Sequence, residues 1–581
     1  MNLLSNKLVR LSGADWLLAL TLGLPTLLVA RSTPQSVFWN EFFAAVMLLC
    51  AAGAYRVFRR RIAIPALVAA FVAIAFLAAA LGLGDLRTPF AVGFALYWVV
   101  FVVAFALGAQ VGDDARVQKQ AHPSARVVAV GFVLVACLQS IVGAFQVADI
   151  SFGGLVLPKV YRQTYGNVGQ PNHYASLLSL GIVAAWYLGV SGCLRRAAAA
   201  ALILWLACSL AASASRACWL YFACVVMLGV WSAYRGDASA RKGALALAGV
   251  GIGVLTVQLA IAKSGALEWV GLTSSVARAA DVGSNGQRLY DWSLALSAIK
   301  SHPWLGVGVG GFHGWAVEQM PATSAVPFSK FAEHAHNLPL HLAATMGLPF
   351  ALVFLGAVGL WLLRQLRAQV RADRLFAFSG LAVIGLHSMV EYPLWYTYFV
   401  IPAGLLCGLL AASDARVRVV RLPVAAANAA FVGLVFALVW VARDYVIVQR
   451  AYDDWATVRS VATAADRERI RRDVGRVPTW SIFGDYARSL ALQTWAPDVA
   501  TAAQMVAQCE PVFKARPSWG LGTQCLLAMG MAGDRAGVAR MSRVLCEGFP
   551  RHHTMLRDWA AVADGYRPIV SVQSENCLRK P

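Results

Sequence analysis

Apolar runs long enough to cross a hydrocarbon core of about 30 Å recur from Trp16 to Val441, separated by short polar or basic segments. At about 20 residues per span they number about thirteen. Their approximate limits are 12–30, 36–55, 62–84, 89–111, 126–147, 171–190, 197–213, 217–234, 243–262, 338–363, 375–390, 396–412 and 422–442. No soluble fold accommodates this pattern, and composition agrees: 59% of the 581 residues are hydrophobic and only 14% are charged. The expected fold is an all-α polytopic membrane protein.

Cytoplasmic loops hold the excess of Lys and Arg, so charge tests the count. With the N-terminus inside, the inside segments hold Lys7, Arg10, the run Arg56–Arg61, Arg116, Lys119, Arg126, Arg195, Arg196, Arg235, Arg241, Lys242, the Arg364–Arg374 series, Arg416, Arg418 and Arg421. The opposite loops are sparse in charge for their length. An odd number of spans and an outside C-terminus follow. The net charge of +21 then reads as topology signal and contact with anionic inner-membrane lipids, and no nucleic-acid partner is expected. The first span follows a basic N-terminus without a small-residue cleavage site and reads as an uncleaved anchor.

Of eleven cysteines, Cys50, Cys137, Cys193, Cys208, Cys218, Cys224 and Cys407 lie in or beside spans, where a thiol is a small hydrophobe. Cys509, Cys525, Cys546 and Cys577 fall in the polar tail. An even number outside the membrane points to two disulfides in an oxidising periplasm, with the pairing open; four free buried thiols are the alternative.

Three outer segments exceed what a connector needs: about 148–171, about 263–337, and the tail from Arg443. The expected division is a membrane domain, 1–442, and a periplasmic helical domain, 443–581. The tail's "ARPSWGLGTQCLLAMGMAGDRAGVARMSRVLCEGFP" reads as a helical hairpin resembling a tetratricopeptide pair, but one unit is not a repeat, and a small helical binding domain is the expected form.

Polar side chains gather on this outer side. Arg216, in "AASASRACWLYF", is either a boundary residue snorkelling to headgroups or a cation facing a water-filled cavity, ready for an anion. Gly283 to Gly286 read as a turn, with a helix from Gln287 that places Arg288 in its first turn beside anion-disposed N–H groups. Arg288 is otherwise a solvated loop charge. Two outer arginines suit a phosphate or pyrophosphate clamp, because a guanidinium binds such oxygens in pairs. "GVGVGGF", Gly306 to Phe312, lacks the context of a nucleotide loop and reads as a tight turn with close backbone approach.

In "YGNVGQPNHYASLL", Pro171 suits a helix start, leaving Gln170, Asn172, His173 and Tyr174 where a span meets the outer surface. In "LHSMVEYPLWYTYF", His387 and Glu391 are spaced i,i+4, and Tyr392 belongs to an interfacial aromatic set. Capping and aromatic anchoring are the bland alternative for both segments.

"FAEHAHNLPLH" holds His334, His336 and His341. Zinc is disfavoured: His336 and His341 are five apart with Pro339 between them, which spoils the one-face spacing of helical metal sites, so no metal is expected. Asn337 parses as an N-cap, with Leu338 first in the helix and Pro339 in its tolerated first turn. His336 then precedes a helix N-terminus whose partial charge disfavours imidazolium. Such a histidine either takes a proton or merely satisfies the helix end.

"EHAHNLPLHLAATMGLP" resembles the His-Asn signature of the O-antigen ligase and polymerase superfamily, the Wzy/WaaL-like membrane glycosyltransferases. "SASR" and "GQRL", with "SHPWLGVGVGGF" following, resemble its two arginine motifs in order. "GQPNHYASLL" and "HSMVEYPLWYTYF" resemble the bacterial protein O-oligosaccharyltransferases of the PglL type. The resemblance implies a GT-C-like bundle and transfer of a preassembled glycan from undecaprenyl diphosphate to Ser or Thr of periplasmic acceptor proteins, often pilins. It also implies location in a bacterial inner membrane and no cofactor. Carried onto this chain, it makes His336 catalytic, gives the diphosphate to Arg216 and Arg288, and makes Gln170 and Tyr392 functional. Asn172, His173, Tyr174, Asn337, His387 and Glu391 are supporting candidates. An O-antigen ligase acting on lipid A core and a non-catalytic lipid-glycan flippase are the competing readings.

Overall fold

The computed structural model describes residues 11–59, 62–65, 68–74, 88–117, 123–280, 283–320, 331–412, 419–496 and 498–549. Among these, seven helices are long and apolar enough to cross a membrane: Pro89–Gly112, Ala125–Val147, Pro171–Val190, Ala217–Arg235, Ala238–Ser264, Leu348–Arg367 and Val424–Val458. Three shorter apolar helices accompany them, Phe38–Ala54, Arg196–Ala212 and Thr397–Ala411. The chain is a helical, multi-pass membrane protein.

Several expected elements differ in detail. The 12–30 segment is two helices, Gly13–Thr21 and Leu24–Leu27. The 338–363 segment breaks at Gly347 into Leu338–Met346 and Leu348–Arg367. Gly347 takes φ +84°, a region that strains L side chains, and a Cβ there would strike the Trp304 carbonyl. The 62–84 segment opens instead with a strand, Ile62–Pro65, paired antiparallel with Val419–Leu422 so that Ile62 faces Leu422. β-Branched Ile62, Ile64, Val419 and Val420 favour that extended form. Residues 75–84 lie outside the described residues. The turn expected at Gly283–Gly286 is part of a helix, Gly283–Ser301, so Arg288 lies beyond the first turn and the helix-terminus argument for anion binding falls away there. The last membrane helix, Val424–Val458, is 35 residues, about 50 Å at 1.5 Å per residue, and runs on past residue 442 into the tail.

The chain forms two compact units. The first comprises Met1–Val72, Tyr97–Ser284 and Ala357–Leu438. Its core holds fully buried Leu18, Phe132, Tyr187, Phe222, Phe376 and Phe399. Lipid is as apolar as leucine, so membrane helices gain from tight contact of small residues. Gly408 illustrates this: its missing Cβ lets the Thr397–Ala411 helix lie directly on the Phe105 carbonyl.

The second unit comprises Ala73–Leu96, Asn285–Gly356 and Val439–Pro581. One cluster packs Tyr290, Leu294, Ala298 and Phe312 with Ala332, Ala335 and Ala344. Another packs Val317 and Met320 with Met505, Phe513, Leu521 and Leu545 of the tail. The tail helices are Ala464–Val474, Gly484–Gln493, Ala502–Ala515, Trp519–Met531 and Arg535–Gly548. A disulfide joins Cys509 to Cys525 across two of them. The rest of the two-bridge expectation rests on Cys577, outside the described residues, and on Cys546, whose side chain is likewise not described. The seven membrane cysteines are free thiols.

Candidate functional site

In the first unit, buried amides build the N-terminal end of the Pro171–Val190 helix. Gln146 Oε1 accepts from the Tyr165 and Gly166 N–H groups at 3.1 and 2.9 Å, and Gln139 Oε1 accepts from Asn167 N–H at 3.0 Å. Both glutamines belong to the preceding Pro123–Val147 helix, where each would be costly without such partners. The loop they fasten ends at Gln170, the helix N-cap, whose Oε1 accepts from His173 N–H at 2.6 Å. Pro171 occupies the first helical position, as its sequence predicts.

Two polar contacts then tie this helix to the Ala372–Ser388 helix and to the turn that follows it. Asn172 Nδ2 donates to Glu391 Oε1 at 2.9 Å, and Ser176 Oγ meets His387 Nδ1 at 2.9 Å. His387 lies in the last turn of that helix and Glu391 three residues beyond its end, its N–H donating to the His387 carbonyl at 2.9 Å, and both side chains reach the same neighbouring helix. Asn172 Oδ1 accepts from Ser215 Oγ at 2.8 Å, linking the Glu391 carboxylate to the residue before Arg216. His173 Nδ1 lies 3.1 Å from the Tyr398 hydroxyl and its ring sits edge-on to Tyr396. Tyr392 stacks on Tyr396 and is half-buried. Tyr174 is 1% exposed and packs against Gly143 and Gly166, which makes it a packing residue of the loop.

Arg216 is the N-cap residue of Ala217–Arg235, between two helices rather than inside one. Ala214, two residues before it, adopts φ +49°. Arg278 holds this bend: its Nη1 donates to the Ala214 carbonyl at 3.2 Å and to Gln163 Oε1 at 3.3 Å. The Arg216 guanidinium in turn touches the Arg278 carbonyl at 3.5 Å and stays half-buried. Nothing in the periodicity around Arg278 marks it, because its partners lie more than sixty residues away.

The second unit contains the histidine segment. Asn337 caps Leu338–Met346, its side chain accepting from Leu340 N–H at 3.0 Å, as read from the sequence. His336 adopts φ +49°, which costs a non-glycine residue about 1–3 kcal/mol and persists only where the surroundings enforce it. Its Nδ1 lies 2.9 Å from Asp291 Oδ2; the carboxylate is fully buried and the imidazole 24% exposed. The other Asp291 oxygen accepts from Gln287 Nε2 at 2.9 Å. The carboxylate stands on the Nδ1 side of the ring, so Nε2 is the ring nitrogen away from it. Arg288 stands three residues before Asp291 on the same helix, within one turn of it. Arg216 lies in the first unit and Arg288 in the second.

The other histidines have separate tasks. His341 Nδ1 accepts from Ala335 N–H at 3.4 Å, and its ring is edge-on to Phe312 and His334. It braces the loop from inside. Among the described residues, no three His, Cys, Asp or Glu side chains converge in a way that could hold a metal ion. The glycine segment wraps the far end of the same short helix: Val307 and Gly308 N–H donate to the Ala344 and Thr345 carbonyls at 2.8 and 2.9 Å. The close backbone approach read from "GVGVGGF" is therefore to this chain's own helix end.

Asp291 is the residue that sequence reasoning missed. Its one local signal was the i,i+4 spacing from Gln287. If Asp291 orients His336 for a reaction, Asp291→Asn lowers kcat by about 10–100-fold while KM stays level, because orientation is lost and binding is not. Steady-state kinetics on purified protein measure this, and an unchanged kcat removes the role.

Residues 165–188 match the family described as protein glycosylation ligase, and residues 200–355 match O-antigen ligase. Residues 375–562 match virulence factor membrane-bound polymerase, C-terminal. A general O-oligosaccharyltransferase of Acinetobacter baylyi is 25% identical over 361 residues, covering 60% of each chain. A ComP-specific O-oligosaccharyltransferase of the same organism is 27% identical over 125 residues, 22% of each chain. The similarity thus spans less than two thirds of either relative's length. These matches support the resemblance to the PglL type within the Wzy/WaaL-like superfamily.

Proposed function

We propose that this protein is a protein O-oligosaccharyltransferase, a glycosyltransferase that moves a preassembled oligosaccharide from undecaprenyl diphosphate to Ser or Thr hydroxyls of periplasmic acceptor proteins, pilin-like ones included. The observation that carries the reading is the buried Asp291 carboxylate 2.9 Å from His336, on the same helix as Arg288. The named relatives support the reaction class. In topology, the reading keeps about thirteen spans in a bacterial inner membrane. The N-terminus is cytoplasmic, and residues 443–581 form a periplasmic domain.

In this mechanism His336 Nε2 takes the proton of the acceptor hydroxyl as its oxygen attacks the anomeric carbon. The bond from that carbon to the diphosphate oxygen breaks on the opposite side, so one displacement inverts the centre. Charge grows on the leaving diphosphate, and Arg216 and Arg288 stabilise it with paired N–H donors. Asp291 keeps Nδ1 protonated and Nε2 free. Asn172, Glu391 and Ser215 hold the bend from which Arg216 projects. Gln170, His173, His387 and Tyr392 are the supporting residues of the first unit and Asn337 that of the second. No nucleotide is required, because the lipid diphosphate is already an activated leaving group.

Incubating purified protein with undecaprenyl-diphosphate-linked glycan and a pilin-type acceptor tests the reading. The expected result is a mass gain of one glycan on the acceptor protein. Transfer only to lipid A core would make the chain an O-antigen ligase, and no covalent product with either acceptor would favour a flippase.

A further inference from the structure

The C-terminal helices do more in the second unit than pack on one another. Phe331, which opens the histidine segment, sits among tail aromatics, with ring centroids 6.2 Å from Phe513 and 4.7 Å from Phe549. Gly548 is bare at this contact, because a Cβ would strike the Phe331 ring. Two residues on, Glu333 Oε1 pairs with Arg516 Nη1 at 3.4 Å. Arg516 is itself anchored: its Nε donates to Asp485 Oδ2 at 2.7 Å, and its guanidinium lies 4.0 Å over the Tyr486 ring and 5.2 Å from that of Phe90. Lys514, on the same helix, pairs with Glu318 at 2.9 Å.

We propose that the C-terminal helical domain positions the catalytic histidine, with Arg516 as a positioning residue that acts through Glu333. This rests on the reading of His336 as proton acceptor. The segment from Phe331 to Asn337 is short, and His336 stands in it at φ +49°, a conformation that both flanks must enforce. On one flank Asn337 caps the Leu338–Met346 helix. On the other, the strain is resisted by Ala332 and Ala335 in the core and by Phe331 and Glu333 on the tail.

The charges favour this clamp. Burial opposes ionisation of Glu333, but Arg516, His334 and His313 outweigh it and hold the carboxyl down at about 2. Burial also pulls the His313 and His334 rings down to about 4, so both are neutral at pH 7. Arg516 is then the cation that Glu333 faces. Its planar fork serves Asp485 and Glu333 at once while stacking on Tyr486, which a lysine ammonium does only in part.

The test uses the full-length protein with undecaprenyl-diphosphate-linked glycan and an acceptor protein, measuring kcat and both KM values. Glu333→Gln and Arg516→Met should lower kcat by about tenfold or more with both KM values held within about twofold, since a small misplacement of a catalytic group is felt in the rate. Arg516→Lys should recover part of the loss. An unchanged kcat overturns the proposal, and so does a loss confined to KM for the acceptor, which would make the tail an acceptor reader only. Should Arg516→Met fail to accumulate, Glu333→Gln decides alone, because it leaves the Asp485 pair intact. His336→Ala in parallel separates the two claims. If that variant is active, the catalytic reading fails; if it is inactive while Glu333→Gln is normal, only the clamp fails.

Discussion

His336→Ala lowers the rate of glycan transfer by about a hundred- to ten-thousand-fold, with the protein still present in the membrane. That range is what a positioned general base contributes, about 3–5 kcal/mol of barrier. The hydroxyl of Ser or Thr is a weak nucleophile, and without Nε2 its proton has only water to go to. The fold should tolerate the change: the imidazole is partly exposed, and the helix that follows is capped by Asn337, which remains. Single-turnover transfer on purified variant and wild type, with membrane abundance checked by immunoblot, gives the comparison. Transfer at the wild-type rate would remove His336 from the mechanism and leave Asp291 without a catalytic purpose.

Arg216→Ala and Arg288→Ala should each cost about a hundred- to a thousandfold in kcat, the usual loss when one donor to a developing anion is removed. Replacement by Lys should restore little. A lysine ammonium keeps the charge but cannot present two parallel N–H groups to a phosphate, so electrostatic attraction survives while geometry does not. The double alanine variant adds a sharper criterion. If both guanidiniums serve one diphosphate, the two losses fail to add by more than about 0.5 kcal/mol. Strictly additive losses would mean that they hold different ligands, and full activity of the Lys variants would reduce their part to simple attraction.

Features set by neighbours in sequence were readable without coordinates. Asn337 as a cap and Pro171 at a helix start both follow from side chains within four residues of one another. Most expected spans coincide with helices for the same reason, since an apolar run in lipid must pair its backbone within itself. Local composition misled at two places. Gly283–Gly286 had turn composition yet entered a helix, and the run from Leu338 onward breaks where Gly347 meets Trp304.

The partners that give each candidate residue its role were not readable at all. Glu391 meets Asn172 across 219 residues and Arg516 meets Glu333 across 183. Asp291 is an unremarkable acid in "RLYDWSL" until the fold sets it against His336. By itself, then, the sequence determined the membrane class, the helix ends and the residue types able to bind an anion or take a proton, because these depend on periodicity and short-range hydrogen bonding. Only the tertiary structure decided which carboxylate lies against the histidine and which arginine pairs with Glu333 of its segment. Those choices depend on which side chains are desolvated together, and that is a property of packing.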